Sequence, residues 1–549
     1  MATDVIERTP SAYGYPLLVK HLLHTALATA PTQEIVYRDL KRYDYRTLRE
    51  RIGQLAGALS RLGVGSGQTV AVMDWDSHRY LECYFAVPMM GAVLQTVNVR
   101  LSAEQILYTL NHAGPTALLI HADFLPVLEE IKDRIESAKT YVLLTDTTAR
   151  PNTSVAIAAE YEELLASSSG EYEFDDFDEN TRATTFYTTG TTGLPKGVYF
   201  SHRQLVLHTL AGMAALGSAA EGQRFHRADV YMPITPMFHV HAWGIPYIAT
   251  VMGVKQVYPG RYAPDLLLRL IETEKVTFSH CVPTILHMLL NCPESRGVDL
   301  RGFKMVIGGS ALSRGLAQAA LARGIDIFAG YGMSETCPIL TLAQLTPEML
   351  AHEADTQVEI RTKAGRPIPL VDVRIVDEEM RDLPRDGKAA GEVVVRAPWL
   401  TQGYLGDGRN SEQLWRGGYL HTNDIASIDV DGYVAITDRL KDVIKSGGEW
   451  VSSLEIEDIL SQHPGISEAA VIGVPDERWS ERPMALIVLR AEYVGTLSDD
   501  DIKAHVQRYA DKGMVSKWAV PSHVRMLTAL DKTSVGKLDK KLMRQKHAR

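Results

Sequence analysis

The amino-acid sequence predicts an α/β protein in two unequal parts, and three observations carry that prediction. Up to about residue 144, short apolar runs at 69–73 and 116–120 alternate with helix-like stretches. That is the rhythm of strands joined by helical crossovers, which gives a mostly parallel sheet. From 184 to 436 the pattern continues, with strands at 229–232, 305–307 and 391–396 and helices at 205–216 and 311–322. Near Asp438-Arg439-Leu440-Lys441 it changes. A β-rich stretch with turns gives way to a separate series: a helix at 452–463, strands at 468–475 and 483–490, and a helix at 499–512. The acidic run 171–180 has no periodicity and reads as a solvated connection, and residues 532–549 read as a polar, basic tail outside the core.

Composition bounds the function. The 549 residues carry 57 Lys+Arg against 67 Asp+Glu, a net charge of −10, which argues against nucleic acid as the main partner. Hydrophobic residues at 45% and charged residues at 23% describe a globular chain, and the length calls for more than one folding unit. Cys83, Cys281, Cys292 and Cys337 form no C-x-x-C pair, which fits a reducing cytoplasm. MATDVIERTP does not read as a signal peptide. No apolar run approaches the ~18 to 20 residues of a membrane span, so a cytoplasmic protein with at most peripheral membrane contact is expected.

The segment Tyr187-Thr-Thr-Gly-Thr-Thr-Gly-Leu-Pro-Lys-Gly-Val198 holds three glycines, five hydroxyl-bearing residues and one lysine. Backbone N–H groups of such a loop can turn toward phosphate oxygens, with the hydroxyls as donors and Lys196 as counter-charge. It is not a Walker loop, because Pro195 precedes Lys196, Gly197 follows it, and 198–200 reads as a strand. A Gly/Thr-rich hairpin turn without a ligand is the alternative.

This run resembles the phosphate loop of the adenylate-forming superfamily, which includes acyl-CoA synthetases, peptide-synthetase adenylation domains and luciferases. Four further matches follow in the family's order: Tyr331-Gly-Met-Ser-Glu-Thr336, Thr422-Asn-Asp424, Asp438-Arg-Leu-Lys-Asp-Val-Ile-Lys-Ser-Gly-Gly-Glu-Trp450 and Lys532-Thr-Ser-Val-Gly-Lys537. Within the family, P-M-F-H-V-H-A-W-G at 236–244 and S-G-G-E-W at 446–450 resemble bacterial medium- to long-chain fatty acyl-CoA synthetases. The resemblance implies a large multi-subdomain N-terminal adenylation domain, residues 1–438, with mixed, mostly parallel sheets. It also implies a small mobile α+β C-terminal lid, residues 439–549. ATP, CoA, Mg²⁺ and a fatty or related carboxylic acid are the implied ligands, and a homodimer stays open.

The implied chemistry explains the residues. Joining a carboxylate to the α-phosphate of ATP brings together like charges that repel by about 4 kcal/mol at 4 Å and an effective dielectric of 20. Cations must stand at that centre. The resemblance makes Lys537 the catalytic lysine between the carboxylate and the α-phosphate. Glu335, with Thr191, becomes the Mg²⁺ ligand, since Mg²⁺ takes one or two carboxylates plus phosphate oxygens and water. Thr188, Thr189, Gly190, Thr191, Thr192 and Lys196 would meet the phosphates. Tyr331 would stack on adenine, with Gly309, Ser310 and Ala311 on its other side and Gly332, Met333, Ser334 and Thr336 alongside. Asp424 would accept hydrogen bonds from the ribose hydroxyls, and Arg439 would reach the ribose or α-phosphate. Asn423 departs from the family's usual Gly, and Asn tolerates a left-handed backbone.

Lys441 takes the hinge position, about which the lid would rotate between half-reactions. Rotation would withdraw Lys537 and bring Lys445, Gly447, Gly448, Glu449 and Trp450 to the CoA chain. His239, grouped with the catalytic residues, and Trp243 would border the acyl site beside Gly309, in a strand-to-helix passage. A core His and a packing Trp are the alternative. Gly212, Ala214 and Ala215 would leave room for an alkyl chain or serve close helix packing. The expected activity is ATP-dependent acyl-CoA ligation of a medium- to long-chain fatty acid. Short, branched, sulfur-containing or aryl acids, a non-CoA acceptor, and a catalytically inactive sensor are the rivals.

Overall fold

The structure, a computed structural model, describes residues 5–188, 194–439, 441–446, 449–476 and 478–548. Thr69–Met73, with the sequence TVAVM, is buried at every position, as expected of a parallel strand covered on both faces. It lies in a seven-stranded sheet of order Ile157–Glu160, Thr140–Leu144, Pro115–His121, Thr69–Met73, Val93–Thr96, Arg182–Thr188, Lys196–Ser201. Every neighbour is parallel except the closing hairpin, where Thr188 pairs with Lys196. After that hairpin, Ser201 and Gln204 form a capping box and start the helix His202–Gly217.

A second, nine-stranded sheet runs Arg366–Pro367, Ile339–Leu342, Asp326–Gly332, Lys304–Ile307, Phe278–Cys281, Val230–Pro233, Lys255–Tyr258, Glu34–Tyr37, Lys41–Asp44. Its centre is parallel, from Asp326–Gly332 through Glu34–Tyr37. A third, antiparallel sheet contains Asp372–Val376, Gly391–Arg396, Tyr419–Ile428, Trp415–Arg416 and Val434–Arg439. Side chains of all three sheets share one continuous core.

Residues from Ile444 onward build a separate sheet whose two faces close two small cores. Alternation along Ile466–Asp476 and Ser480–Leu489 decides which face each residue serves. Val471, Ala485 and Ile487 pack against the helices Ser453–Ser461 and Asp499–Asp511 through Ile456, Ile459, Ile502 and Val506. Ala470, Ile472, Met484 and Leu486 face the other way and meet Met543. Met543 is fully buried on the helix Lys540–His547, so the terminal segment expected as a polar tail contributes core. Asp438 joins this unit to the preceding strand, its Oδ2 accepting from the backbone N and Oγ of Ser453 at 2.7 and 2.6 Å. Arg544 pairs with Asp442 in the connecting turn at 2.6 Å, and within the unit Lys540 pairs with Glu457 at 2.8 Å.

The expected strands at 69–73, 116–120, 305–307 and 391–396 all appear, within a residue or two of their ends. The small residues of His202–Gly217 do not leave a channel at Gly212. A Cβ built there would lie 2.8 Å from Ile248 Cδ1, so the position permits close packing on the helix Ile245–Met252. Among the described residues, no helix is long and apolar enough to cross a membrane.

Candidate active site

The strands Lys304–Ile307 and Val93–Thr96, one from each large sheet, lead to the cleft where Gly309 and Asn98 meet the loop of Lys537, the kind of strand end at which an open α/β sheet offers its loops to a ligand. The strand Lys304–Ile307 leads into Gly308, Gly309, Ser310 and Ala311 before the helix Arg314–Ala322 begins at its Ser313 cap. Gly308 must be glycine, because a Cβ would stand 2.8 Å from the Gly330 carbonyl oxygen and 3.1 Å from the Trp243 ring. Gly309 has φ +80°, and a Cβ there would lie 2.9 Å from Lys537 Cε.

Lys537 thus reaches the cleft from the far end of the chain. Its loop is held by Asn98 Nδ2 donating to Ser534 Oγ at 3.0 Å, Arg100 to the Ser534 carbonyl at 3.2 Å, and Thr284 Oγ1 to the Gly536 carbonyl at 2.8 Å. Loss of hydration, with the nearby Arg439 cation, lowers the Lys537 amine to about 8, against the upward pull of Asp424 and Glu335.

The strand Asp326–Gly332 delivers Tyr331 and Gly332, followed by Met333 and the turn Ser334–Thr336. Tyr331 donates its hydroxyl to Asp424 Oδ2 at 2.7 Å. Arg439, paired in register with Asp424 on the neighbouring strand, sets its Nε 3.4 Å from Oδ1. Burial raises the carboxyls of Asp424 and Glu335 above their ordinary values. Asn423 adopts φ +59°, so the left-handed turn expected there is made by Asn in place of Gly.

Glu335 is buried, with Oε1 accepting the Tyr404 hydroxyl at 2.7 Å. Apart from its own backbone N–H, the carboxylate receives no other hydrogen bond from the described residues, which leaves acceptor capacity for a hard cation. Among the described residues no group of three or more His, Cys, Asp or Glu could cage a metal, so a single carboxylate completed by phosphate oxygens and water is the donor set that fits. Lys196 stands at the start of its strand, Nζ 4.6 Å from the centroid of the Tyr404 ring.

The acyl-site residues lie between the strand Val230–Pro233 and the helix Ile245–Met252, in a passage whose backbone is left-handed. Val240, His241, Ala242 and Trp243 form a left-handed turn, with φ of +48°, +55°, +47° and +59°, closed by Gly244. His241 Nε2 lies 2.9 Å from Thr184 Oγ1, and the Trp243 ring lies 5.0 Å from that of His280. His239 precedes the turn, and burial with nearby Lys537 and Arg100 drives its imidazole down to about 3, leaving it neutral.

Lys441 is exposed in the turn between the strands Val434–Arg439 and Ile444–Ser446. Lys445 donates its backbone N–H to Glu481 at 3.0 Å, and Glu449 and Trp450 lie on Glu449–Val451, which pairs with Ile444–Ser446. Thr189, Gly190, Thr191, Thr192, Gly447 and Gly448 fall outside the described residues.

The structure adds groups that the sequence reading does not anticipate. Tyr404 touches both Glu335 and Lys196. Beside the start of Ser480–Leu489, Trp479 and Trp518 pack with centroids 4.5 Å apart, with Arg478 4.6 Å from Trp479 and Arg482 and Lys517 5.4 and 5.5 Å from Trp518. Trp479 and Trp518 are 39 residues apart in sequence, and no spacing rule joins them.

Known proteins resemble this chain in sequence and fold. Residues 23–405 match the model of the AMP-binding enzyme family, and residues 455–537 that of the AMP-binding enzyme C-terminal domain. A long-chain-fatty-acid–CoA ligase of Thermus thermophilus is 39% identical over 547 residues, covering 99% of this chain and 95% of that protein. A 3-methylmercaptopropionyl-CoA ligase of Ruegeria lacuscaerulensis is 35% identical over 539 residues, covering 96% and 97%. The solved structure of an anthranilate CoA ligase with anthranoyl-AMP superposes with a TM-score of 0.84 at 23% identity, covering 97% and 98%.

Proposed function

Because this chain belongs to the AMP-binding enzyme family, we propose that it activates a medium- to long-chain fatty acid with ATP and passes the acyl group to CoA. The enzyme class is an AMP-forming acid–thiol ligase. In the first half-reaction a carboxylate oxygen bonds to the α-phosphorus and pyrophosphate leaves. In the second, the CoA thiolate attacks the acyl carbon and AMP leaves.

The observation that carries this reading is the convergence of Lys537, Arg439, Asp424 and Glu335 on one cleft, with Lys537 against Gly309. Lys537 supplies the cation where carboxylate and α-phosphate meet, in a site dry enough to make that charge count. Asp424 receives the ribose hydroxyls, Tyr331 packs on adenine, and Lys196 balances the phosphates. Glu335 would hold Mg²⁺, which when bound neutralises phosphate charge. Rotation about Lys441 then replaces Lys537 with the strand pair Ile444–Ser446 and Glu449–Val451. The Trp479–Trp518 pair, rimmed by Arg478, Arg482 and Lys517, offers aromatic faces and cations suited to the adenine and phosphates of CoA.

Incubation with octanoate, ATP and CoA should give AMP, pyrophosphate and octanoyl-CoA in equal amounts, and AMP without thioester would remove CoA as the acceptor. The Ruegeria relative favours a second acid class, the sulfur-containing short acids. A kcat/KM profile over C4 to C16 and 3-methylthio acids distinguishes the two. Trp243→Ala should shift that profile, because its ring covers Gly308 at the acyl end of the cleft. An unchanged profile would take Trp243 out of the acyl site.

A further inference from the structure

We propose that Tyr404 is a positioning residue for the first half-reaction, fixing Glu335 for a divalent cation with its hydroxyl and Lys196 for the phosphates with its ring. The inference rests on the adenylating reading above. Tyr404 lies on a segment that joins two separate parts of the site through its backbone. Thr401 N–H donates to the Glu335 carbonyl at 2.9 Å, and Leu405 N–H donates to the Gly197 carbonyl at 2.8 Å. The buried hydroxyl of Thr401 donates to the Tyr199 carbonyl at 3.0 Å. The segment therefore holds the Glu335 turn at a set distance from the strand that begins with Lys196.

The side chain completes the link. Its hydroxyl takes Glu335 Oε1 at 2.7 Å, the one side-chain donor to this carboxylate among the described residues. A carboxylate fixed by one oxygen presents the other in a single orientation, as partners behind a metal ligand do. The Lys196 side chain makes no ion pair or hydrogen bond among the described residues, and the Tyr404 ring face lies 4.6 Å from its Nζ. A cation–aromatic contact restrains such a lysine without neutralising it. One side chain thus sets both the anion that takes the metal and the cation that takes the phosphates.

Tyr404→Phe removes the hydroxyl and keeps the ring; Tyr404→Leu removes both. Mn²⁺ binding in the presence of ATP, followed by electron paramagnetic resonance, should weaken about tenfold in Tyr404→Phe, the size of one hydrogen bond to a charged group. The Mn²⁺ needed for half-maximal pyrophosphate–ATP exchange should rise in parallel, with the ATP KM at saturating metal unchanged. Tyr404→Leu should also raise that ATP KM. Both variants should convert supplied acyl-AMP to thioester as the parent does, which shows the fold intact. Unchanged Mn²⁺ binding in Tyr404→Phe, or equal loss of both half-reactions, would overturn the proposal. Parent protein that binds Mn²⁺ with ATP yet exchanges no pyrophosphate would fail the adenylating reading instead.

Discussion

Lys537→Ala should slow acyl-adenylate formation by about 10² to 10³ or more, while conversion of supplied acyl-AMP and CoA to thioester continues largely unchanged. The asymmetry follows from where charge accumulates. Only the first half-reaction forces a carboxylate against a phosphate, and in the proposed reaction Lys537, held over Gly309, is the cation that meets them. Its lowered value of about 8 adds a pH signature. The protonated amine is the working form, present below that value and lost as pH rises through it. The kcat/KM of the first half-reaction should therefore fall along an alkaline limb near pH 8. The groups that set this limb are Arg439, which lowers the amine, and Asp424 and Glu335, which raise it. His239, already neutral, does not titrate nearby. Lys537→Arg should shift the limb upward, because guanidinium stays charged. Equal loss of both half-reactions, or a flat profile, would refute the role.

Asp424→Ala should behave differently, raising the KM for ATP and for supplied acyl-AMP alike by about 10² or more. A site built to bond hydroxyls loses heavily when one partner is missing. The carboxylate bonds Tyr331 and neighbours Arg439, so its removal also takes the partner from the half-buried Tyr331 hydroxyl and the counter-ion from Arg439. Both half-reactions handle the same ribose, so both must suffer. A KM change confined to ATP would mean that Asp424 acts through the phosphates.

Much of this arrangement is legible in the sequence because its determinants are local. The TVAVM strand follows from β-branched residues in a short apolar run, and the left-handed Asn423 from a residue type suited to it. Asp424 and Lys537 are recognised because short motifs surround them. The rest depends on contacts between distant segments. Tyr404 lies 69 residues from Glu335, and no periodicity announces their hydrogen bond. Met543 sits among lysines and an arginine, so composition reads as solvated tail while one helical face closes a core. The turn at Val240–Trp243 is the sharpest divergence. Four residues with β-carbons in left-handed conformation contradict every local propensity, and tertiary packing holds them there.

That turn has a consequence in time. Each left-handed residue costs roughly 1–2 kcal/mol, and the turn's internal bonds, Ala242 N–H to the His239 carbonyl and Gly244 N–H to the His241 carbonyl, tie the residues to one another. One residue cannot relax alone without breaking its neighbour's bond, so any motion of the segment is expected to be an exchange of the whole unit between discrete states. A fluorinated Trp243 should give separate resonances for its positions, with populations that change on acid binding. A single line drifting smoothly with added acid would show a soft, graded segment instead.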